Sequence, residues 1–228
     1  MITFQINIFK GHPIIKDGEN TILIDTGAPS TIHVANSLEF GADRYGCTVN
    51  YMGLTVQKIS EMLGTEITTL IGADILSNYK VFLDYQNASA GFSRNETGSF
   101  GCETGISSFM GIPIIELTVD GKRLKFFLDT GAKLSYLASQ LTANHKSAGI
   151  EDDFYPGIGC FKTECYEIST CIGDKEFMVK YGNLPSLLQM TLTLGGTNGI
   201  IGFDFFNHFK VCLDIKGRKL KYQQNTIR

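Results

Sequence analysis

The chain has no tryptophan, five prolines and four histidines among its 228 residues. So little proline, with no collagen-like period, excludes a fibrous or proline-rich linker architecture. Charge is scarce as well, at 19% against 43% hydrophobic residues, which excludes a disordered chain. Lysine and arginine total 20 and aspartate and glutamate 23, for a net charge of -3. That balance excludes a broad basic surface, so no nucleic-acid partner is expected. No apolar run approaches the roughly 18 residues of a membrane span, so no membrane partner is expected either. The opening stretch MITFQINIFKGHPII has no positive n-region and no long apolar h-region. It alternates apolar and polar residues and reads as a strand, not a signal peptide. The six cysteines (47, 102, 160, 165, 171, 212) form no Cys-x-x-Cys pair and keep no company with histidine. They read as reduced thiols of a cytoplasmic protein, with Cys212 buried in the apolar run VCLDI.

Glycine is plentiful: 25 residues, beside 16 phenylalanines and 9 tyrosines. The aromatics favour strands, and the glycines must serve turns and close backbone approaches.

An internal repeat organises the rest. ILIDTGA spans 22–28 and FFLDTGA spans 126–132, so Asp25 and Asp129 stand 104 positions apart. Upstream, Gly11-His12-Pro13-Ile14-Ile15 matches Gly111-Ile112-Pro113-Ile114-Ile115. Asp17-Gly18 and Asp120-Gly121 follow in order and signal hairpin turns. Downstream, LIGADILSNYKVFLDY at 70–85 parallels IIGFDFFNHFKVCLDI at 200–215. A lone Asp-Thr-Gly turns up by chance in roughly one such chain in twenty or thirty. Two copies in ordered, matching contexts are not chance.

Most of each copy has period two, the pattern of strands. One or two helical turns are expected at 74–79 and 204–209. Residues 94–108, rich in Gly, Ser and Thr, read as a connection between lobes. The expected fold is all-β: two lobes related by a pseudo-twofold, 1–100 and 101–228, with a cleft between them. The lobes are unequal. Asp25 to Gly72 is 47 positions and Asp129 to Gly202 is 73. The surplus lies around Asp152–Thr170, where Tyr155-Pro156-Gly157-Ile158-Gly159 has the composition of a hairpin tip.

An aspartate that ends an apolar strand and precedes a glycine sits at a tight turn. If the halves meet about a pseudo-twofold, Asp25 and Asp129 face each other. Two carboxylates in one site cannot both ionise easily, so they share a proton and titrate as a unit. Such a pair can deprotonate a water with one member and protonate a carbonyl oxygen with the other.

Here the sequence resembles the aspartic proteases, and specifically the retropepsin-like ones. The resemblance rests on apolar-apolar-Asp-Thr-Gly-Ala and apolar-Ile-Gly-x-Asp, each present twice. It implies a catalytic dyad of Asp25 and Asp129. It implies active-site loops formed by Thr26, Gly27 and Ala28 and by Thr130, Gly131 and Ala132, with the threonines interlocking. Ile71-Gly72 and Ile201-Gly202 would pack beneath the loops. Tyr155, Gly157, Ile158 and Gly159 would belong to a substrate-covering flap from the second lobe. In the first lobe, Tyr51–Gly53 or Tyr45-Gly46 would tip only a reduced hairpin. A retropepsin subunit is about half this length and must dimerise, so this chain resembles a single-chain tandem. The implied activity is endopeptidase action on extended polypeptide by a monomer, with no metal or organic cofactor. Serine is missing after each Asp-Thr-Gly, and without its hydroxyl to lower the carboxylate pKa a working pH nearer neutral is expected. The alternatives are an inactive peptide-binding or regulatory module of the same fold, and more remotely a carbohydrate-binding β-sandwich.

Plainer roles fit the other polar residues. Asp84 and Asp214 read as strand-end turn residues. Asp74 and Asp204 read as N-caps. The four histidines have no metal-like spacing and read as surface or packing residues. Lys216–Lys221 reads as a solvated hairpin turn.

Overall fold

The computed structural model describes residues 1–95, 98, 100–155 and 159–226. Three principal sheets account for most of them.

The first is five-stranded, in the order Asn7–Phe9, His12–Asp17, Asn20–Ile24, Thr69–Ile71, Ile32–His33. Ile22, Leu23 and Ile24 run parallel to Thr69, Leu70 and Ile71. Both strands are buried on two faces, which is why they read as continuous apolar runs rather than as alternation.

The second sheet has eight strands. Their order is Ser107–Phe109, Ile112–Val119, Lys122–Leu128, Gly199–Ile201, Ser135–Leu137, Lys175–Gly182, Gly159–Ile172, Gly149–Tyr155. Phe126, Phe127 and Leu128 likewise run parallel to Gly199, Ile200 and Ile201. Thr118 and Val119 also pair with Cys171 and Thr170, so the sheet curls back on itself. The turn between Val119 and Lys122 has Asp120 at φ 50 and Gly121 at φ 73. Positive φ at both central residues matches the right-handed twist of the flanking strands.

The third sheet joins the halves: Ile2–Gln5, Ser89–Ser93, Lys80–Asp84, Phe209–Asp214, Lys219–Gln224, Cys102–Gly105. At its centre Val211, Cys212, Leu213 and Asp214 pair with Leu83, Phe82, Val81 and Lys80. One apolar core runs through all three sheets. Ile22, Ile24, Ile71, Phe126, Leu128 and Ile201 expose 0% of their surface. Full burial of each such side chain contributes about 1.5–3 kcal/mol.

Short helices follow each Ile-Gly, at Ala73–Leu76 and Phe203–His208. Their N-caps are Gly72 and Gly202, so Asp74 and Asp204 are not the caps that the sequence suggests. Asp74 instead accepts from the Thr31 N–H and hydroxyl, and Asp204 accepts from the Lys180 N–H. Each aspartate ties its helix to a neighbouring segment.

Residues 94–108 also depart from expectation. They are not only a connection, because Cys102–Gly105 is an edge strand and Ser107–Phe109 pairs with Ile112–Ile114. Weak strand propensity is overridden by the ladder to Lys219–Tyr222 and by the Lys219–Glu103 ion pair at 3.0 Å. Lys216 to Lys221 runs through the turn of the hairpin that carries this edge, with Lys216 bonded to Asn78 Oδ1.

A helix at Val56–Leu63 is absent from the sequence reading. Thr55 caps it by accepting from the Lys58 N–H, and Gly64 ends it at φ 76. Val56, Ile59 and Leu63 form its buried stripe.

Candidate active site

Asp25 and Asp129 leave the ends of equivalent strands and meet at the floor of a cleft of about 680 Å³. Asp25 N–H donates to Ile71 O, and Asp129 N–H donates to Ile201 O, each at 3.0 Å. Next, Ala73 N–H donates to Ala28 O at 2.8 Å and Phe203 N–H to Ala132 O at 3.0 Å. Each Asp-Thr-Gly-Ala loop is thus fastened to the Ile-Gly segment below it. The approach is too close for a side chain, since a Cβ on Gly72 would fall 2.8 Å from Ala28 O.

The threonines interlock. Thr26 N–H donates to Thr130 Oγ1 at 2.9 Å, and Thr130 N–H donates to Thr26 Oγ1 at 3.0 Å. Their hydroxyls cross over: Thr26 donates to Leu128 O and Thr130 to Ile24 O, both at 2.7 Å. Both residues are fully buried. Four buried backbone groups are satisfied by two side chains, which sets the spacing of the aspartates.

The glycines bring each carboxyl against the opposite loop. Gly27 N–H donates to Asp25 Oδ1 at 2.9 Å, and Gly131 N–H donates to Asp129 Oδ1 at 2.7 Å. A Cβ on Gly131 would fall 2.5 Å from the Asp25 carboxyl carbon, and one on Gly27 would intrude on Asp129 in the same way. The two carboxyls share the cleft floor close enough to interact and are ringed by protein, although each residue keeps some accessible surface. Burial raises the Asp25 pKa well above the ordinary carboxylate value, and the Asp129 charge raises it further. Burial also raises Asp129, but there the Gly131 N–H and the Asp25 side chain pull down. Both carboxyls are pushed up together, so the pair holds one proton between them.

No protein-family model matches the chain, and no curated protein sequence matches it. Solved structures do. A retropepsin-like aspartic protease from Rickettsia conorii aligns over 52% of this chain and 88% of its own, at 21% identity and a TM-score of 0.38. An aspartic proteinase from Irpex lacteus aligns over 99% of this chain and 97% of its own, at 13% identity and a TM-score of 0.53. The chain has the aspartic proteinase fold. The alignment to the Irpex lacteus proteinase spans nearly the whole of this chain.

On this fold the cleft walls differ. The second half contributes a long hairpin, Gly149–Tyr155 against Gly159–Ile172. Tyr155 pairs with Gly159 beside the tip and lines the cleft. Burial and the two aspartates raise its phenol pKa to about 12. Gly157 and Ile158 lie outside the described residues. Among the described residues the first half has no hairpin of that length. Ser37–Phe40 and Asp43–Gly46 make a short one, whose Tyr45 hydroxyl bonds Tyr79 at 2.8 Å and joins the packing there. Tyr51–Leu54 is a tight turn on the cleft wall, and the helix at Val56–Leu63 stands behind it.

Sequence reasoning missed several site neighbours. Thr31 Oγ1 accepts from the Gly72 N–H at 3.0 Å, and Ser135 Oγ from the Gly202 N–H at 3.1 Å. Tyr136 donates to Asp153, and both are buried. Tyr85 is buried with its hydroxyl unpartnered. His12 was expected on the surface or in ordinary packing, yet it is a cleft residue. A residue-by-residue comparison of the two copies would have exposed it, because its counterpart is Ile112. No cluster of potential metal ligands occurs among the described residues.

Proposed function

We propose that this chain is an aspartic endopeptidase that hydrolyses peptide bonds in extended polypeptide segments, using Asp25 and Asp129 on a single water. The observation that carries this reading is the pair of carboxyls held together at a cleft floor by interlocked threonines. A strand-like substrate lies along the cleft and exchanges backbone hydrogen bonds with it. With the shared proton on Asp25, Asp129 takes a proton from the water. The water oxygen attacks the scissile carbonyl carbon, and Asp25 protonates the carbonyl oxygen. Asp129 then passes its proton to the leaving nitrogen while Asp25 recovers one from the tetrahedral diol. The C–N bond breaks, leaving a carboxylic acid and an amine, and the starting proton arrangement returns.

Residues 1–100 and 101–228 are the two half-sites in this reading, and one chain suffices because it carries both. The second-half hairpin covers the substrate, with Tyr155 beside the dyad. Apolar residues such as Leu23, Ile32, Ile59 and Ile200 suit apolar substrate side chains. All six cysteines are free, which suits the reducing cytoplasm as the proposed compartment. No helix among the described residues is long and apolar enough to cross a membrane.

The test is cleavage of a quenched fluorescent peptide pool across pH, with and without a pepstatin-type inhibitor. Inhibitable cleavage that disappears in Asp25→Asn and in Asp129→Asn supports the reading. Cleavage that persists in either variant refutes the mechanism. Tight inhibitor binding with no cleavage at any pH would favour the inactive peptide-binding module.

A further inference from the structure

After the first glycine of each upstream repeat element the two copies differ: His12, which lines the cleft, stands in the first and Ile112 in the second. Ile112 packs into the apolar cluster of its own half. His12 is 3% exposed, and its Nδ1 is buried with no hydrogen-bond partner. Unpartnered buried polar atoms are uncommon, and an apolar residue is tolerated at the equivalent place. The polar ring therefore needs a reason to be there.

Its surroundings supply one. The ring lies 5.8 Å, centroid to centroid, from Phe154 on the second-half hairpin. Phe154 in turn packs on the apolar cluster of the first half. The backbone of Gly131, two residues from Asp129, lies within hydrogen-bonding reach of the ring. Next to it, Gly11 sits so close to the same loop that a Cβ there would fall 3.1 Å from Lys133 Cβ. His12 thus lies between the loop that carries Asp129 and the tip-proximal end of the hairpin strand Gly149–Tyr155. We propose that His12 is a positioning residue whose uncharged ring, wedged between the Asp129 loop and Phe154, holds the second-half hairpin down on the cleft. The consequence for hydrolysis rests on the endopeptidase reading; the docking of the hairpin does not.

The charged groups facing His12 are Asp153 on the hairpin, Lys133 on the Asp129 loop and Lys10 on its own turn. Burial lowers its pKa, Asp153 and the Gly131 backbone oppose that, and the lysines reinforce it. The docked ring is therefore harder to protonate than a free one. Once the hairpin lifts, the ring returns to its ordinary affinity for protons. By linkage, docking is strongest above the ordinary histidine pKa and weakens as pH falls through it. Asp153, held by the Tyr136 hydroxyl, limits how steep that loss is.

The experiment is hydrogen–deuterium exchange of the hairpin peptides in the full chain between roughly pH 7 and 5, corrected for intrinsic rates. Wild type should show exchange that rises beyond intrinsic as pH falls over that range. His12→Ile should keep the hairpin protected and abolish the pH step. His12→Ala, which also removes the ring's packing on Phe154, should raise exchange at every pH. Asp153→Asn, which removes the charge that opposes the shift, should enlarge the pH step and leave its onset in place. On any cleaved peptide, His12→Ala should act mainly through KM, with His12→Ile restoring it. A step that survives in His12→Ile overturns the proposal, as does a His12→Ala hairpin that exchanges like wild type. Exchange needs no catalysis, so an inactive protein with the expected exchange would fail the endopeptidase reading alone.

Discussion

Replacing Thr26 by valine removes one hydroxyl and keeps the shape. That hydroxyl donates to Leu128 O at 2.7 Å and accepts from the Thr130 N–H at 3.0 Å. Both partners belong to residues with 0% exposure, Leu128 and Thr130. Valine therefore strands one carbonyl and one N–H. Each unsatisfied group costs about 1–3 kcal/mol, so the expected loss is roughly 3–4 kcal/mol. Serine keeps both bonds and gives up one methyl, for a loss of about 1 kcal/mol. The chain has no tryptophan, so far-UV circular dichroism in urea is the suitable readout. At an m-value of ~3 kcal/mol per molar, valine should lower the midpoint by about 1 M and serine by about a third of that. Thr130→Val should match Thr26→Val, because its two bonds have the same lengths within 0.1 Å. If Thr26→Val costs no more than Thr26→Ser, the interlock does not depend on the hydroxyl and the reasoning fails.

Three further outcomes follow from the site. Gly131→Ala and Gly27→Ala should abolish cleavage while leaving far-UV dichroism nearly native, because each Cβ displaces the opposite carboxyl; retained activity would contradict the loop geometry. The pH–rate profile should be bell-shaped, with both limbs displaced upward because burial raises both carboxyl pKa values. With alanine at 28 and 132 no hydroxyl offsets that rise, so an optimum below about pH 3 would refute it. The raised Asp25 pKa also means that the folded state holds its proton more tightly than the unfolded chain. The dyad's contribution to stability is then largest below the unfolded carboxylate pKa and is lost as pH rises through the folded value. Urea midpoints of Asp25→Asn should fall less steeply than wild type as pH rises from about 4, and parallel curves would contradict the assignment.

Much of the architecture was legible in the sequence because it is written twice. The motif strands Ile22–Ile24 and Phe126–Leu128 announce themselves as apolar runs ending in Asp-Thr-Gly, and their pairing follows from the Ile-Gly echo downstream. Single-copy features were harder to see. The helix at Val56–Leu63 has a threonine cap and a glycine stop, but the helix that stands ahead of the Ile-Gly strand in the second half, Ser186–Leu194, has a different sequence and no side-chain cap. Cys102–Gly105 lacks strand-forming residues and gains its order from a partner strand more than a hundred positions away. Asp74 and Asp204 carry a capping composition, yet Gly72 and Gly202 already occupy the caps, leaving the carboxylates free to bond across loops. His12 stayed hidden because its importance lies in what approaches it, Phe154 and Gly131, and neither is near it in sequence.

The six-stranded sheet has a bearing on how the molecule could be divided. Its central ladder, Val211–Asp214 on Lys80–Leu83, is made wholly between chain halves, as are the threonine crossovers. The peptide link near residue 100 contributes none of those bonds. A chain cut there would become a two-fragment reporter: neither piece holds a complete dyad, and the dyad would form only on reassociation. Activity would then depend on fragment concentration, turning an intramolecular site into a measure of how tightly two polypeptides meet.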